Sequence, residues 1–159
     1  MRALRRQPLL DGAAALRVRR LLYLNGLRGG QIDDAMQEIE LRALERPPRD
    51  RTTATGWACV VATNLAIDVH RRAGRQESAG VFVDDGPDVG ADPGLRDAVR
   101  SGLAALPADL RATVVLRFYA DFTVPEIAAA MAVPEGTVKS RLHRAMRELR
   151  RCLPMEARR

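Results

Sequence analysis

Hydrophobic residues recur at helical spacing along most of this chain. Residues 9–28, 32–45 and 55–72 carry apolar side chains three or four positions apart, and the same spacing returns between Leu95 and Leu149. The Asn25-Gly26 and Gly29-Gly30 steps mark a turn, and the polar, proline-containing residues 46–55 are expected to be loop. Within the second half, one helix is expected to bury Leu110, Val114, Val115 and Phe118. No convincing run of strand-like alternation breaks this pattern. The periodicity therefore predicts an all-α protein.

Residues 73–93 differ in composition from the segments on either side. They are rich in Gly, Asp and Pro and lack a helical period. We predict a flexible acidic linker here, joining two small helical domains at residues 1–72 and 94–153, with a basic tail at 154–159. The apolar island Val81-Phe82-Val83 within the linker either tucks locally against a domain or contacts a partner.

The second domain contains the pattern of a helix-turn-helix at residues 123–149. Thr123 and Glu126 have the spacing of a capping box, and the residue before Pro134 is disfavoured in a helix. A second helix then starts at Glu135, with an apolar face at Val138, Leu142, Ala145 and Leu149. Its opposite face carries groups that bind base edges and phosphates, namely Thr137, Lys139, Ser140, Arg141, Arg144 and Arg147. An ordinary αα-hairpin with a solvated face is the alternative, but such a face usually mixes charges of both signs.

Charge supports a polyanionic partner. The net charge is +6 and the isoelectric point is near 10.5. Residues 135–159 hold eight Lys and Arg against three Glu, and residues 1–28 hold seven Arg against Asp11 alone, so two basic ends are separated by neutral or acidic segments. Aromatic residues make up only 4% of the chain, so Leu, Val and Ala must build the core.

Several other classes of protein are disfavoured by the sequence. No run of about 18 apolar residues exists, and Asp11 and Arg17 interrupt the N-terminal apolar stretch, so we expect no membrane association and a cytoplasmic location. Cys59 and Cys152 lie far apart and are expected to be free thiols. No catalytic or phosphate-binding motif and no metal-ligand spacing occurs, so we expect no enzyme activity, cofactor or metal. The Asp33-Asp34 pair fits a helix N-terminus better than an acid-base site.

Both domains resemble those of bacterial sigma factors of the extracytoplasmic-function (ECF) group. In the second domain the resemblance rests on Leu106-Pro107, residues 114–119, Glu126-Ile127-Ala128 and residues 136–145. In the first domain it rests on residues 34–38, 41–43 and 62–68, with Trp57 and Arg71-Arg72. One departure is Ala132, where the family usually has Gly. If the turn is left-handed there, alanine costs roughly 1 kcal/mol or more.

The resemblance implies a transcription initiation factor that binds core RNA polymerase, through the clamp helices and the flap of the beta subunits, and promoter DNA. An anti-sigma factor is a further partner that the family allows. The DNA contacts implied at the minus-35 element are Glu135, Thr137, Lys139, Ser140, Arg141, Arg144 and Arg147. Those implied near the minus-10 element are Asn64, Asp68, His70, Arg71 and Arg72. The residues implied to contact polymerase are Asp34, Gln37, Glu38, Leu41 and Arg42.

Two alternatives remain open at the level of sequence. Residues 107–149 also resemble the DNA-binding domain of response-regulator-type activators, so a stand-alone regulator that works without polymerase is the second hypothesis. Asp68 has an alternative role too, because its spacing allows an ion pair with Arg71 or Arg72.

Overall fold

A computed structural model describes residues 8–49, 51–74 and 93–152. Its elements are seven α-helices: α1 (Gly12–Leu24), α2 (Gly29–Glu45), α3 (Arg51–Arg72), α4 (Pro93–Ala105), α5 (Ala108–Phe118), α6 (Val124–Met131) and α7 (Glu135–Cys152). No strand occurs among the described residues, which confirms the predicted all-α class. Residues 75–92 of the predicted linker 73–93, including Val81-Phe82-Val83, and the tail at 154–159 lie outside the described residues.

The first three helices pack around large apolar side chains from α1 and α2. Leu21, Leu22 and Ile39 are fully buried, together with Leu27 in the turn between these helices. Short residues of α3, such as Ala58 and Ala62, are also fully buried and allow its backbone to approach the other two helices closely. This part of the core is thus built from Leu and Ile packed against Ala rather than from aromatic residues.

Helices α5, α6 and α7 form the helix-turn-helix half of the chain. Leu116, Ile127 and Val138, one from each helix, are fully buried. The predicted capping box is present, because the backbone N–H and the hydroxyl of Thr123 each donate to Glu126 Oε2 at 2.7 Å. These bonds lower the pKa of the Glu126 carboxyl. The start of α6 is therefore held by the residues that the sequence indicated.

The two halves pack against each other, and buried residues from both join in one apolar cluster, beside a second cluster formed by Leu103, Leu106, Leu110, Val114 and Ala145. At this contact Arg17 of α1 meets the end of α5. Its Nη2 donates to the carbonyl oxygen of Tyr119 at 3.4 Å and lies 3.6 Å from Asp121 Oδ2, while the Tyr119 hydroxyl donates to the Arg17 carbonyl oxygen at 3.2 Å. The boundaries of two separate domains stay a prediction.

The helix limits predicted between residues 9 and 55 were partly wrong. Helix α1 ends at Leu24, at the predicted Asn25-Gly26 turn, although the apolar period continues to residue 28; the Asn25 side chain donates to Leu21 O at 3.0 Å and Gly26 has φ 94°. Gly29 and Gly30 lie in the first turn of α2 instead of in a turn before it. There the Arg28 backbone N–H donates to Gln31 Oε1 at 3.1 Å. Helix α3 starts at Arg51, within the segment predicted as loop.

The prediction that Phe118 is buried was also wrong. Its side chain is 61% exposed and lines an apolar groove bounded by α1, α4, α5 and α7. Phe118 is the last residue of α5, where the helix leaves the core before the Tyr119–Asp121 turn. Helical spacing puts Phe118 on the buried face of α5, but it cannot show that the neighbouring helices leave the Phe118 side chain uncovered.

The turn of the helix-turn-helix is left-handed at Ala132, the case in which alanine was expected to be strained. Ala132 has φ 52° and ψ 47°, the left-handed conformation, and its N–H bonds the end of α6. A side chain on Cβ makes this conformation unfavourable by about 1–2 kcal/mol. Alanine thus stands at a position where glycine fits better.

We expect Ala132→Gly to raise the free energy of unfolding by about 0.5–1 kcal/mol, because the left-handed strain relieved exceeds the extra entropy of the unfolded chain. Chemical denaturation checks this. The matched control is Ala129→Gly, the same substitution at an exposed position inside α6, which should lower stability by about 0.5–1 kcal/mol. Equal losses in both variants would contradict the strain at Ala132.

Candidate nucleic-acid interface

Helix α7 is oriented by one buried edge. Val138 is fully buried among residues of α5 and α6, Ala145 is fully buried among residues of α4 and α5, and Leu142 and Leu149 are half-buried. At its start the N–H groups of Thr137 and Val138 bond the Pro134 carbonyl oxygen at 3.0 and 3.2 Å. These contacts fix which side of the helix faces solvent.

The exposed side of α7 is the surface predicted to read DNA. The exposed members of the predicted set are Glu135, Lys139, Ser140, Arg144 and Arg147, whereas Thr137 is half-buried. The Ser140 hydroxyl donates to the Thr137 carbonyl oxygen at 2.9 Å and keeps its lone pairs free to accept. Three cations and a hydroxyl therefore lie on one accessible face of a rigidly packed helix, which suits binding in a major groove.

Arg141 differs from the other predicted cations of α7. Its Nη2 lies 3.3 Å from Oδ2 of Asp109, which is in the first turn of α5, and its side chain is only 22% exposed. The guanidinium is thus paired with a carboxylate that the sequence analysis did not associate with it. Asp109 lies 32 positions away in sequence, and helical periodicity contains no signal for such a pair.

The predicted residues of α3 fall into two groups. Asp68 Oδ1 lies 3.8 Å from Arg71 Nη1, and both side chains are well exposed, as is Arg72. This contact is the ion pair offered above as the alternative role of Asp68. A surface pair of this kind is weak, so both groups remain accessible to a ligand.

Asn64 and His70 instead contact other parts of the fold. Asn64 Nδ2 donates to the Ala130 carbonyl oxygen of α6 at 3.5 Å. His70 Nε2 lies 2.7 Å from the Asn25 carbonyl oxygen, so this nitrogen must carry the proton, and Arg111 Nη2 lies 3.4 Å from it. Both side chains lie in the contact between the two halves of the chain rather than on an open face.

The residues predicted to contact polymerase share one face of α2. Asp34, Gln37 and Leu41 are exposed, and Glu38 Oε1 accepts from Arg42 Nε at 2.8 Å. Leu41 is 57% exposed, and Leu44, which the sequence analysis missed, is 60% exposed one turn later. Two accessible leucines beside charged residues are typical of a surface that binds another protein.

The described residues contain no group of three or more His, Cys, Asp or Glu side chains that could hold a metal ion. Within the same residues, no helix is long and apolar enough to cross a bilayer. Both cysteines are free, Cys59 buried in α3 and Cys152 exposed at the end of α7.

Comparison with known proteins tests the resemblance seen in the sequence. Residues 13–76 match the family model for sigma-70 region 2, and residues 96–149 match the model for sigma-70 region 4. The ECF RNA polymerase sigma factor SigL of Mycobacterium tuberculosis is 35% identical over 151 residues, covering 89% of this chain and 85% of SigL. The chain belongs to the ECF family of RNA polymerase sigma factors.

Other relatives of this sigma factor agree. SigX of Bacillus subtilis, also an ECF RNA polymerase sigma factor, is 32% identical over 135 residues, covering 76% of this chain and 70% of SigX. In fold, the chain is similar to the sigma factor RpoE of Bartonella quintana, solved in complex with the anti-sigma factor NepR. The TM-score is 0.68 at 23% identity, with 88% of this chain and 91% of RpoE covered. Region 2 corresponds to α1–α3 and region 4 to α4–α7. Sigma factors as a class are transcription initiation factors rather than enzymes.

The two thiols of this sigma factor should differ sharply in reactivity. Burial raises the pKa of the Cys59 thiol to about 11, so its thiolate, the reactive form, is scarce near pH 8. We expect iodoacetamide to modify Cys152 in the native protein and to reach Cys59 only after denaturation, as followed by peptide mass spectrometry. A Cys152→Ser variant should remain unlabelled, and native labelling of that variant would show that Cys59 is accessible.

Proposed function

We propose that this sigma factor binds core RNA polymerase and directs it to promoters whose minus-35 element is read by the exposed face of α7. The observation that carries the proposal is the fixed orientation of that face. Buried Val138 and Ala145 hold the helix, and Lys139, Ser140 and Arg144 stand on its accessible side. A helix presented in this way enters a major groove without further rearrangement of its own.

The residues of α7 divide by their chemistry and by their place along the helix. Thr137 and Ser140 lie near the N-terminus and carry hydroxyls, which suits contact with base edges. Arg144 and Arg147 lie further along and suit phosphate contacts, which position the helix without specifying sequence. Lys139 adds a cation on the exposed side, and Glu135 is placed at the first position of α7, where a carboxylate is able to accept from cytosine N4.

At the minus-10 element we propose contacts from the accessible residues of α3, Asp68, Arg71 and Arg72. Asn64 and His70 belong to the same proposed set. Asn64 is hydrogen-bonded to Ala130 of the other half and His70 to Asn25 of its own half, so their contact with DNA requires these bonds to break. The contribution of Asn64 thus depends on a change in the packing of the two halves, whereas that of α7 does not.

The face of α2 formed by Asp34, Gln37, Glu38, Leu41 and Arg42 is the proposed contact with the polymerase clamp helices, and region 4 is proposed to contact the flap of the beta subunits. Exposed Leu41 supplies apolar area at its centre, and the charged neighbours supply complementarity. An anti-sigma factor is a further proposed partner, because the structurally similar RpoE was solved bound to one. We propose a cytoplasmic protein without enzyme activity or cofactor.

A stand-alone helix-turn-helix regulator is not favoured. Such a protein needs only the second half of the chain, yet residues 13–76 match sigma-70 region 2. That match, together with relatives that align along most of this chain, supports a factor that works on polymerase.

Transcription in vitro tests the proposed function directly. With bacterial core polymerase and a genomic promoter library, the wild-type chain as the only sigma source should give specific transcripts. Arg144→Ala should reduce them about tenfold or more, because a charge-assisted phosphate contact is lost.

The matched control is Arg117→Ala, an exposed arginine of α5 that lies outside the proposed DNA-binding set. This variant should transcribe like the wild type. Sequence-specific DNA binding by the chain without any transcript would instead favour the stand-alone regulator.

Polymerase binding by α2 is tested with Leu41→Ser. We expect affinity for core polymerase to fall about tenfold, because truncating a side chain that anchors an interface costs more than about 1 kcal/mol. Analytical size exclusion or fluorescence anisotropy with core polymerase measures the change. Leu16→Ser on α1, which removes a leucine that is 45% exposed, is the control. An equal loss in both variants would point to general destabilisation instead of a contact by Leu41.

A further inference from the structure

The pair between Arg141 and Asp109 joins the DNA-facing helix to a different helix. Asp109 stands in the first turn of α5, and its backbone carbonyl accepts from the hydroxyl of Thr113, a fully buried residue, at 2.7 Å. The carboxylate is therefore carried on a rigid part of the core. Arg141 reaches back to it at 3.3 Å, whereas Lys139, Arg144 and Arg147 on the same helix are exposed.

We propose that Asp109 is a positioning residue that sets DNA specificity by holding Arg141 away from non-specific phosphates. The proposal rests on the proposed DNA-reading role of α7. Non-specific binding is driven by cations that replace counterions on the phosphate backbone. A guanidinium already neutralised by a carboxylate contributes little to that exchange, so Asp109 lowers affinity for random DNA.

The geometry still lets Arg141 act on the correct DNA. The pair is a single contact at 3.3 Å with Asp109 46% exposed, and such a partly exposed pair exchanges readily. A base edge or phosphate that offers a bidentate partner competes with one carboxylate oxygen, whereas a distant or misaligned phosphate does not. Arg141 is thus available to a well-matched site and withheld from most others.

The test compares Asp109→Asn with Asp97→Asn in the full chain. Both variants remove one negative charge that is paired with an arginine, since Asp97 lies 3.7 Å from Arg100 within α4. The probes are a random-sequence duplex and the promoter duplex recovered in the transcription experiment. Affinities are measured between roughly 50 and 200 mM salt, the range in which counterion release is readily resolved.

For Asp109→Asn we expect the slope of log affinity against log salt on random DNA to steepen by about 0.9 relative to Asp97→Asn, one additional counterion. Between roughly 50 and 200 mM salt, the affinity of Asp109→Asn for random DNA should therefore fall by a factor about threefold larger than that of Asp97→Asn. The ratio of promoter to random affinity should fall. Adding Arg141→Ala to Asp109→Asn should restore the shallower slope, and Asp109→Glu, which keeps the charge, should behave like the wild type.

Equal slopes and equal affinity ratios for Asp109→Asn and Asp97→Asn would overturn the proposal and leave Asp109 with a structural role only, visible as a lower melting temperature. Arg144→Ala separates this failure from failure of the proposed function. A slope on random DNA that Arg144→Ala leaves unchanged would show that α7 does not bind DNA through this face, and both proposals would fall.

Discussion

Burial of one apolar edge of α7 against α4, α5 and α6 is the constraint on which the proposed DNA surface depends. Val138 and Ala145 have no exposed area, and Val138 meets the same core as Leu116 and Ile127. Because a helix has a fixed rotation per residue, fixing two positions on one edge fixes every other side chain. The accessible placement of Lys139 and Arg144 is therefore a consequence of packing, and the turn at Ala132 accepts backbone strain to keep α6 and α7 at that angle.

The charge of this face depends on a carboxylate of a neighbouring helix as well as on the cations of α7. A basic helix alone would bind any polyanion, since phosphate contacts carry no sequence information. The structure opposes one cation of the proposed reading face, Arg141, with Asp109 and leaves Lys139, Arg144 and Arg147 exposed. Similar positive charges on one helix thus have different environments, and those environments arise from a neighbouring helix.

Contacts of α3 with other helices and turns divide its proposed DNA-binding residues into two groups. Asp68, Arg71 and Arg72 stay accessible, while Asn64 and His70 are held by Ala130 and Asn25. Arg17 of α1 contacts Tyr119 and Asp121 and so strengthens the packing of the two halves. The proposed surfaces on α7 and α2 are accessible in this arrangement, so the three proposed binding surfaces differ in whether packing must change before a partner binds.

Local features of this protein were determined by the sequence itself. The Thr123–Glu126 capping box, the left-handed turn at Ala132 and the buried stripe of α7 all depend on residues a few positions apart, where chain geometry leaves few alternatives. Tertiary structure alone decided the pairing of Arg141 with Asp109, the contact of His70 with Asn25, and the exposure of Phe118. These depend on residues that are distant in sequence, such as His70 and Asn25, which are 45 positions apart, and their proximity is set by how whole helices pack.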